Sequence, residues 1–162
     1  QLDRNLEVGG QLGGRRFAEI PWSGQPHLAA SAQWARGDEL VLAIPDRSAS
    51  TLRLIDRRFW REVGRIAMPL AISRVHSHPG SRYAWASGDA IHIVEKSTLA
   101  IARTLAPGRP VTAIAFDRQG RRALISVDGL LITYDTVTLT ELTRAVLPGS
   151  ARVYGVGSRA PQ

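Results

Sequence analysis

A repeated unit of roughly 40 residues constrains the fold of this chain more than any other feature of its sequence. Residues 71–106 and residues 111–147 share one order of short alternating strands separated by polar and Gly-containing turns. Each segment includes a Thr-Leu pair before its last strand, and the two pairs, Thr98-Leu99 and Thr138-Leu139, lie 40 residues apart. The shared pattern predicts four short strands and no helix in each segment.

A looser copy of the pattern precedes these segments and covers residues 27–68. Asp56, Glu95 and Asp135 occupy corresponding points of the three copies, at intervals of 39 and 40 residues. Four antiparallel strands in each unit of roughly 40 residues are typical of a β-propeller blade. A sandwich or barrel of about 12 to 14 strands would account for the strands but not for the period. We therefore predict an all-β fold, a partial β-propeller of about four blades with four antiparallel strands each.

The predicted propeller extends over residues 15–156. It comprises an outer strand at 15–22, blades at about 27–68, 71–106 and 110–147, and a last strand at 150–156, between a flexible leading segment at 1–14 and a tail at 157–162. Most propellers have more blades, and an open arc would expose apolar blade faces and an unpaired sheet edge. We therefore expect the missing blades to come from an upstream half, from another chain or from self-association.

Composition argues against several classes of partner. The formal net charge is +7, and it is carried almost entirely by arginine because Lys96 is the only lysine. The arginines are scattered singly or in pairs, which coding bias explains as well as an anionic partner does, and we expect no nucleic-acid partner. The chain has no cysteine, which excludes disulfides, thiolate ligands, a catalytic cysteine and covalent c-type haem attachment. No apolar run reaches the roughly 18 residues of a membrane span.

The sequence contains no recognisable catalytic motif. There is no G-x-S-x-G elbow, and the glycine-rich VGGQLGG lacks the Gly-Lys-Ser/Thr of a phosphate-binding loop. Asp46, Asp89 and Asp128 lie in turns at equivalent positions of the copies, which turn chemistry explains better than paired acid-base catalysis. We predict no catalytic residue, and the sequence leaves open whether the chain belongs to an enzyme.

Five stretches carry a resemblance to a known family. They are an H-P-x-S turn at His78–Ser81, an E-K-x-T-L segment at Glu95–Leu99, a strand pair at Phe116–Val127, a Y-D-x-x-T-L-x-E segment at Tyr134–Glu141, and Val153-Tyr154. In this order they resemble the C-terminal blades of the d1-haem propeller of cytochrome cd1 nitrite reductases, a family that includes haem d1 biosynthesis propellers. The resemblance covers residues 70–156 and, more loosely, 24–69.

The resemblance implies a fold, a cofactor and a location. The family fold is an eight-bladed propeller that binds haem d1, a carboxylate-rich iron isobacteriochlorin, and this chain would supply the C-terminal half. The loop AIPDRSAST lacks the histidine that the reductases place there, and no cytochrome c module is present. We therefore expect a haem-d1-binding or haem d1 biosynthesis homologue in the periplasm, not a nitrite reductase competent by itself. A non-catalytic propeller segment that acts as a protein-interaction scaffold is the alternative.

Four residues form the predicted ligand site. The loops that lead into the innermost strand of a blade and the turns between its second and third strands lie on one face of a propeller. His27 falls in such a loop and is the best candidate to approach a haem. Arg47, Arg109 and Arg152 come from equivalent loops, and a ring of guanidinium groups suits a ligand with several carboxylates. Solvated arginines and a loop histidine bound to the backbone are the alternative interpretation.

The other three histidines are predicted to be structural. His78 lies in a turn on the opposite face, where Pro79 and Gly80 favour turn formation. His76 is expected to pack near the same end of the blade, and His92 to lie on an outward or inter-blade surface. Two histidines one residue apart without a third ligand are weak evidence for metal, and we predict no metal site.

Overall fold

The residues that the structure describes fold into four antiparallel β-sheets. The structure, a computed structural model, describes residues 4–9, 16–22, 24–47, 50–69 and 71–147. The strands are β1 (Arg4–Gly9), β2 (Arg16–Trp22), β3 (Ala32–Arg36), β4 (Glu39–Asp46), β5 (Thr51–Asp56), β6 (Arg61–Ala67), β7 (Ile72–Ser77), β8 (Tyr83–Gly88), β9 (Ile91–Glu95), β10 (Ile101–Leu105), β11 (Val111–Phe116), β12 (Arg122–Val127), β13 (Leu130–Asp135) and β14 (Glu141–Val146).

Three of the sheets are blades of four strands. Blade 1 comprises β3–β6, blade 2 comprises β7–β10 and blade 3 comprises β11–β14, and in each blade every strand pairs with its neighbour in sequence. The remaining sheet is the hairpin of β1 and β2. This arrangement confirms the predicted all-β propeller fold. A 3-10 turn at Leu28–Ala30 is the one helical element among the described residues.

The N-terminal hairpin differs from the expectation for residues 1–14. That segment was expected to be flexible, but residues 4–9 form β1, in which Leu6 pairs with Ile20 and Val8 with Ala18 of β2. The apolar residues Leu6 and Val8 alternate with polar ones, but so short an alternating stretch identifies a strand only when the strand that pairs with it is known. The predicted last strand at 150–156 lies outside the described residues.

Apolar packing between blades forms the core. Strand β8 is buried throughout, and its residues alternate between two interfaces. Ala84 and Ala86 pack in the cluster shared by blades 1 and 2, whereas Tyr83 and Trp85 pack in the cluster shared by blades 2 and 3. A strand covered on both faces needs apolar residues at successive positions, which is why β8 reads as a continuous apolar run. The blades are thus layers of one stack.

Each blade has two ends, which define two faces of the stack. We call upper face the end formed by the loops that lead into the first strand of a blade and by the turns between its second and third strands. The lower face is formed by the turns between first and second strands and between third and fourth strands. At the lower face the β7–β8 turn of blade 2 meets blade 3 where β11 ends. The ring of His78 in that turn lies 5.9 Å from the ring of Phe116, the last residue of β11.

Candidate ligand face

The loop before β3 is attached to the end of β4 on the upper face. The His27 N–H donates to the Pro45 carbonyl oxygen at 2.9 Å, and the Arg47 N–H donates to the Gln25 carbonyl oxygen at 3.0 Å. These bonds extend the antiparallel pattern of blade 1 beyond its last ladder pair. Because of them, a residue at position 27 and a residue at position 47 lie side by side although 20 residues separate them in sequence.

A buried carboxylate holds the start of this loop. Asp46 is 2% exposed, and its Oδ1 accepts a hydrogen bond from the Gln25 N–H at 3.0 Å. Gly24 lies against the same carboxylate with φ +127°, and a Cβ added there would lie 2.1 Å from Asp46 Oδ2. Only glycine combines this backbone conformation with so close an approach. Asp46 therefore has the structural role that turn chemistry predicted.

The side chains of His27 and Arg47 contact each other. Arg47 Nη2 lies 2.7 Å from His27 Nε2. A guanidinium has only donors, so Nε2 must accept this bond and the proton of the neutral ring must sit on Nδ1. His27 Nδ1 is buried and has no hydrogen-bond partner among the described residues. Among the described residues the His27 ring thus contacts Arg47, while the backbone N–H of His27 binds the Pro45 carbonyl oxygen.

Arg109 occupies the equivalent loop of blade 3. Its Nη1 donates to the Asp128 carbonyl oxygen at 2.8 Å and lies 3.9 Å from Asp128 Oδ2. Asp128 belongs to the turn between the second and third strands, so the contact joins the same two structural positions as His27 and Arg47 in blade 1. Both side chains of the pair are exposed, 56% and 88% respectively. Arg109 therefore presents its guanidinium to solvent on the upper face.

The structure brings together two of the four predicted site residues. His27 and Arg47 are in contact, and Arg109 lies at the same end of another blade, without a hydrogen bond or ion pair to either of them within the described part of the chain. Arg152 lies outside the described residues. The upper face so described offers exposed guanidinium groups beside an imidazole, and such guanidinium groups suit an anion with several carboxylates.

A groove on the first strands of blades 2 and 3 contains a histidine that the sequence analysis assigned to packing. The groove has a volume of about 310 Å³ and is lined by residues of β7 and β11, including Arg74, His76 and Thr112. His76 Nε2 lies 3.0 Å from Ser87 Oγ, and the Ser87 hydroxyl donates to the Arg74 carbonyl oxygen at 3.3 Å. Burial, together with the Arg74 charge, lowers the pKa of His76 to about 4. His76 is therefore neutral at neutral pH.

A sequence signal for this groove existed. The first strand of blade 2 has only two apolar residues, Ile72 and Val75, and its polar residues include Arg74 and His76, whereas a strand covered on both sides would be apolar. The polar positions mark the side of β7 that faces the groove. Only the neighbouring β11 completes the wall, so the groove could not be placed from one strand.

The remaining histidines have local partners. His78 Nδ1 accepts a hydrogen bond from the Gly80 N–H at 3.0 Å in the β7–β8 turn. His92 is 1% exposed, and its Nδ1 lies 3.1 Å from Thr104 Oγ1 on the adjacent strand. Burial lowers the pKa of His92. His92 thus joins two strands of its own blade, whereas His78 stabilises its turn and packs its ring against Phe116 of blade 3.

Among the described residues, no group of three or more His, Asp or Glu side chains is placed to hold a metal ion. In the same part of the chain, no helix is long and apolar enough to cross a membrane.

Comparison with known proteins identifies relatives of this chain. Residues 3–155 match the family model described as Cytochrome D1 heme domain. Over 157 residues the chain is 35% identical to dihydro-heme d1 dehydrogenase of Pseudomonas aeruginosa, covering 90% of this chain and 32% of that protein. A solved structure of dihydro-heme d1 dehydrogenase NirN in complex with DHE superposes with a TM-score of 0.82 at 35% identity, covering 90% of this chain and 34% of the other.

More distant structures share the fold alone. The WD40 domain of Neurospora crassa Pan2 has a TM-score of 0.65 at 12% identity and covers 90% of this chain and 47% of its own. Hydrazine synthase of Kuenenia stuttgartiensis has a TM-score of 0.65 at 14% identity, over 83% of this chain and 40% of its own. The chain spans about a third of the length of the dihydro-heme d1 dehydrogenase that it matches.

Proposed function

This chain belongs to the cytochrome D1 heme domain family, and from this premise we propose that its upper face forms part of a binding site for a carboxylated tetrapyrrole of the haem d1 type. The observation that carries the proposal is the contact between His27 and Arg47, with Arg109 exposed at the same end of blade 3. The relation to dihydro-heme d1 dehydrogenase supports this ligand class, because that enzyme is named for a haem d1 derivative.

The residues present fit such a ligand. Arg47 is exposed, and its contact to His27 engages a neutral acceptor, so its charge is available to a carboxylate. Arg109 is likewise exposed, and its partner Asp128 lies 3.9 Å away and is itself 88% exposed, which makes that ion pair weak and exchangeable. When bound, the tetrapyrrole supplies the iron and the conjugated ring at which any redox chemistry takes place.

The chain's own residues would bind and orient the ligand. Arg47 and Arg109 would each donate to a ring carboxylate, and their positions in different blades would set the orientation of the ring. His27 holds its proton on Nδ1 as long as Arg47 donates to Nε2. If Arg47 turns to a carboxylate, Nε2 is released to accept another hydrogen bond or to approach the ligand. Arg152 belongs to the same proposal as a further carboxylate-binding group.

The proposed role is ligand binding or haem d1 biosynthesis, not nitrite reduction by this chain alone. The AIPDRSAST loop contains no histidine, and the structure shows Asp46 and Arg47 of this loop engaged with the preceding loop.

The remaining blades of the site would come from an upstream half, another chain or self-association, and we place the protein in the periplasm. Fractionation of expressing cells tests that location.

The test is an absorption titration of the purified protein with haem d1. We expect a saturable shift of the haem absorption band. Arg47→Gln and Arg109→Gln should each raise the dissociation constant about tenfold, the effect of one lost carboxylate contact. Arg118→Gln, which removes one exposed charge from the lower face, is the matched control and should leave the constant unchanged.

Two results would overturn the proposal. If no band shifts, the upper face does not bind the tetrapyrrole, and the protein-interaction scaffold becomes the better account of the fold. If the band shifts but Arg47→Gln, Arg109→Gln and His27→Ala all leave affinity unchanged, the tetrapyrrole binds elsewhere and the residue assignment is wrong.

A further inference from the structure

The only lysine of the chain lies buried at the lower face. Lys96 is 8% exposed, and its Nζ donates to the carbonyl oxygens of His78 and Ser81, each at 2.7 Å. An ammonium has three donors, so one remains after these two bonds. Both acceptors belong to the β7–β8 turn, and the lysine could therefore be a turn-closing residue and nothing more.

The corresponding residue of blade 3 shows that closing the turn requires no charge. Thr136 occupies the equivalent position, since the Thr136 N–H donates to the Arg121 carbonyl oxygen at 2.9 Å as the Lys96 N–H donates to that of Arg82 at 3.2 Å. The Thr136 hydroxyl donates to the Gly120 carbonyl oxygen at 2.5 Å. A neutral hydroxyl thus closes the β11–β12 turn, and the charge at position 96 calls for another explanation.

Among the described residues, no carboxylate forms an ion pair with Lys96. Around it, Arg36 is paired with Glu39 and Arg82 with Glu95. Within the part of the chain that the structure describes, Lys96 forms no such pair. Burial of an unpaired ammonium is costly, and accordingly burial lowers the pKa of Lys96. The neighbourhood therefore carries one uncompensated positive charge.

Lys96 lines a cleft between blades 1 and 2. The cleft has a volume of about 430 Å³, and its walls include Trp34 and Arg36 from blade 1 and Pro79 and Arg82 from blade 2. Trp34 is 5% exposed, and its Nε1 is a buried donor with no hydrogen-bond partner among the described residues. The cleft thus combines apolar wall residues with a spare ammonium donor, whereas the Trp34 Nε1 is enclosed within the wall.

We propose that this lower-face cleft binds a small organic anion, whose carboxylate accepts a hydrogen bond from Lys96 Nζ and whose apolar body packs against Trp34 and Pro79. The volume exceeds what an inorganic anion fills, and the apolar walls favour a ligand with a hydrophobic part. Lysine as a compact charge suits a carboxylate without demanding bidentate geometry. This site is separate from the proposed tetrapyrrole site, because it lies at the other end of the blades.

Benzoate and its neutral analogue benzamide are suitable probes. The protein is labelled with 15N at the indole nitrogens of its four tryptophans, and Trp34→Phe identifies the Trp34 signal. We expect benzoate to shift that signal saturably and benzamide to bind about tenfold more weakly, the loss of one charge-assisted contact. Equal shifts by the two probes would overturn the anion site without requiring any further variant.

Substitution of the lysine tests the assignment to Lys96. Lys96→Thr gives blade 2 the threonine that blade 3 has at the equivalent position. The variant should raise the benzoate dissociation constant about tenfold, and circular dichroism should show that the protein remains folded. Arg118→Gln, which removes an exposed charge from the same face, should leave benzoate binding unchanged. Undiminished benzoate binding by Lys96→Thr, or equal losses in both variants, would contradict the proposal. Haem d1 titration of Lys96→Thr separates this site from the upper face, since that affinity should not change.

Discussion

The two faces of the blade stack are held together in different ways. At the lower face, hydrogen bonds within a blade are accompanied by a close approach between blades: a Cβ at Gly80 in blade 2 would lie 2.2 Å from the Gln119 carbonyl oxygen in blade 3. At the upper face the described contacts run within a blade, as between His27 and Arg47 or between Arg109 and Asp128. The lower face therefore locks blades 2 and 3 together, whereas the upper face keeps charged side chains at the surface, where they can exchange partners.

The largest expected effect breaks the lower-face contact between blades. Gly80→Ala would force blades 2 and 3 apart because the new methyl group meets backbone, which cannot rotate away. We expect a loss of about 3 kcal/mol in the free energy of unfolding, measured by chemical denaturation. Gly37→Ala is the control: it has φ +56° with nothing within 4 Å of the added Cβ, and should cost only about 1 kcal/mol of backbone strain. If Gly80→Ala and Gly37→Ala lowered the free energy of unfolding equally, blades 2 and 3 would not interlock at Gly80.

The next effect concerns His76, which lies on β7 between the two faces. Its pKa of about 4 in the folded protein lies below its ordinary value of 6.5. The stabilising effect of the neutral ring is therefore complete above pH 6.5 and is lost as the pH falls towards 4, because the unfolded chain takes up the proton first. Near pH 5 the His76 contribution to the free energy of unfolding should be about 2 kcal/mol smaller than at neutral pH.

His76→Gln provides the comparison for that prediction. Carboxylates titrate in the same pH range, so the quantity to measure is the difference between wild type and variant in urea denaturation at both pH values. The variant should lose less stability on acidification. An identical pH dependence of the two proteins would show that His76 is solvated in the folded state.

A smaller effect should follow from removing one hydroxyl at the lower face. Thr136→Val leaves the Gly120 carbonyl oxygen without its hydrogen bond, and Thr136 is only 1% exposed. We expect the free energy of unfolding to fall by about 1 kcal/mol, measured by thermal or chemical denaturation. In the control Thr138→Val, the lost bond to Thr140 is exposed, and the change should stay below about 0.5 kcal/mol. If Thr138→Val lowered the free energy of unfolding as much as Thr136→Val, the buried hydrogen bond would not be the cause of the loss.

The smallest effect on stability is expected at the upper face. Arg47→Gln and Arg109→Gln remove exposed groups and should each change the free energy of unfolding by less than about 0.5 kcal/mol. Their effect should appear in ligand affinity instead. A loss of stability comparable to that of Thr136→Val would mean that these arginines hold the blades together, and the contrast between the two faces would disappear.

Much of the fold could be predicted because the blade is a local unit. A strand, a turn and the next strand lie within ten or so residues of one another, so period and turn residues identify them. For the proposed upper-face site, blade topology could select His27, Arg47 and Arg109 as residues of one face. It could not predict that His27 and Arg47 touch, because that contact depends on the attachment of the preceding loop to β4.

The family, the antiparallel blades and the face on which each loop lies could be read from the amino-acid sequence, because they follow from strand alternation, turn chemistry and a fixed repeat. Tertiary structure decided which polar side chains became buried without a counter-charge or a partner. Lys96 reads in sequence as an ordinary surface lysine beside Glu95, yet Glu95 pairs with Arg82 and Lys96 turns to backbone carbonyls in an inter-blade cleft. The reason is physical: a charge is solvated or buried by the packing of neighbouring blades, and no local pattern encodes that packing.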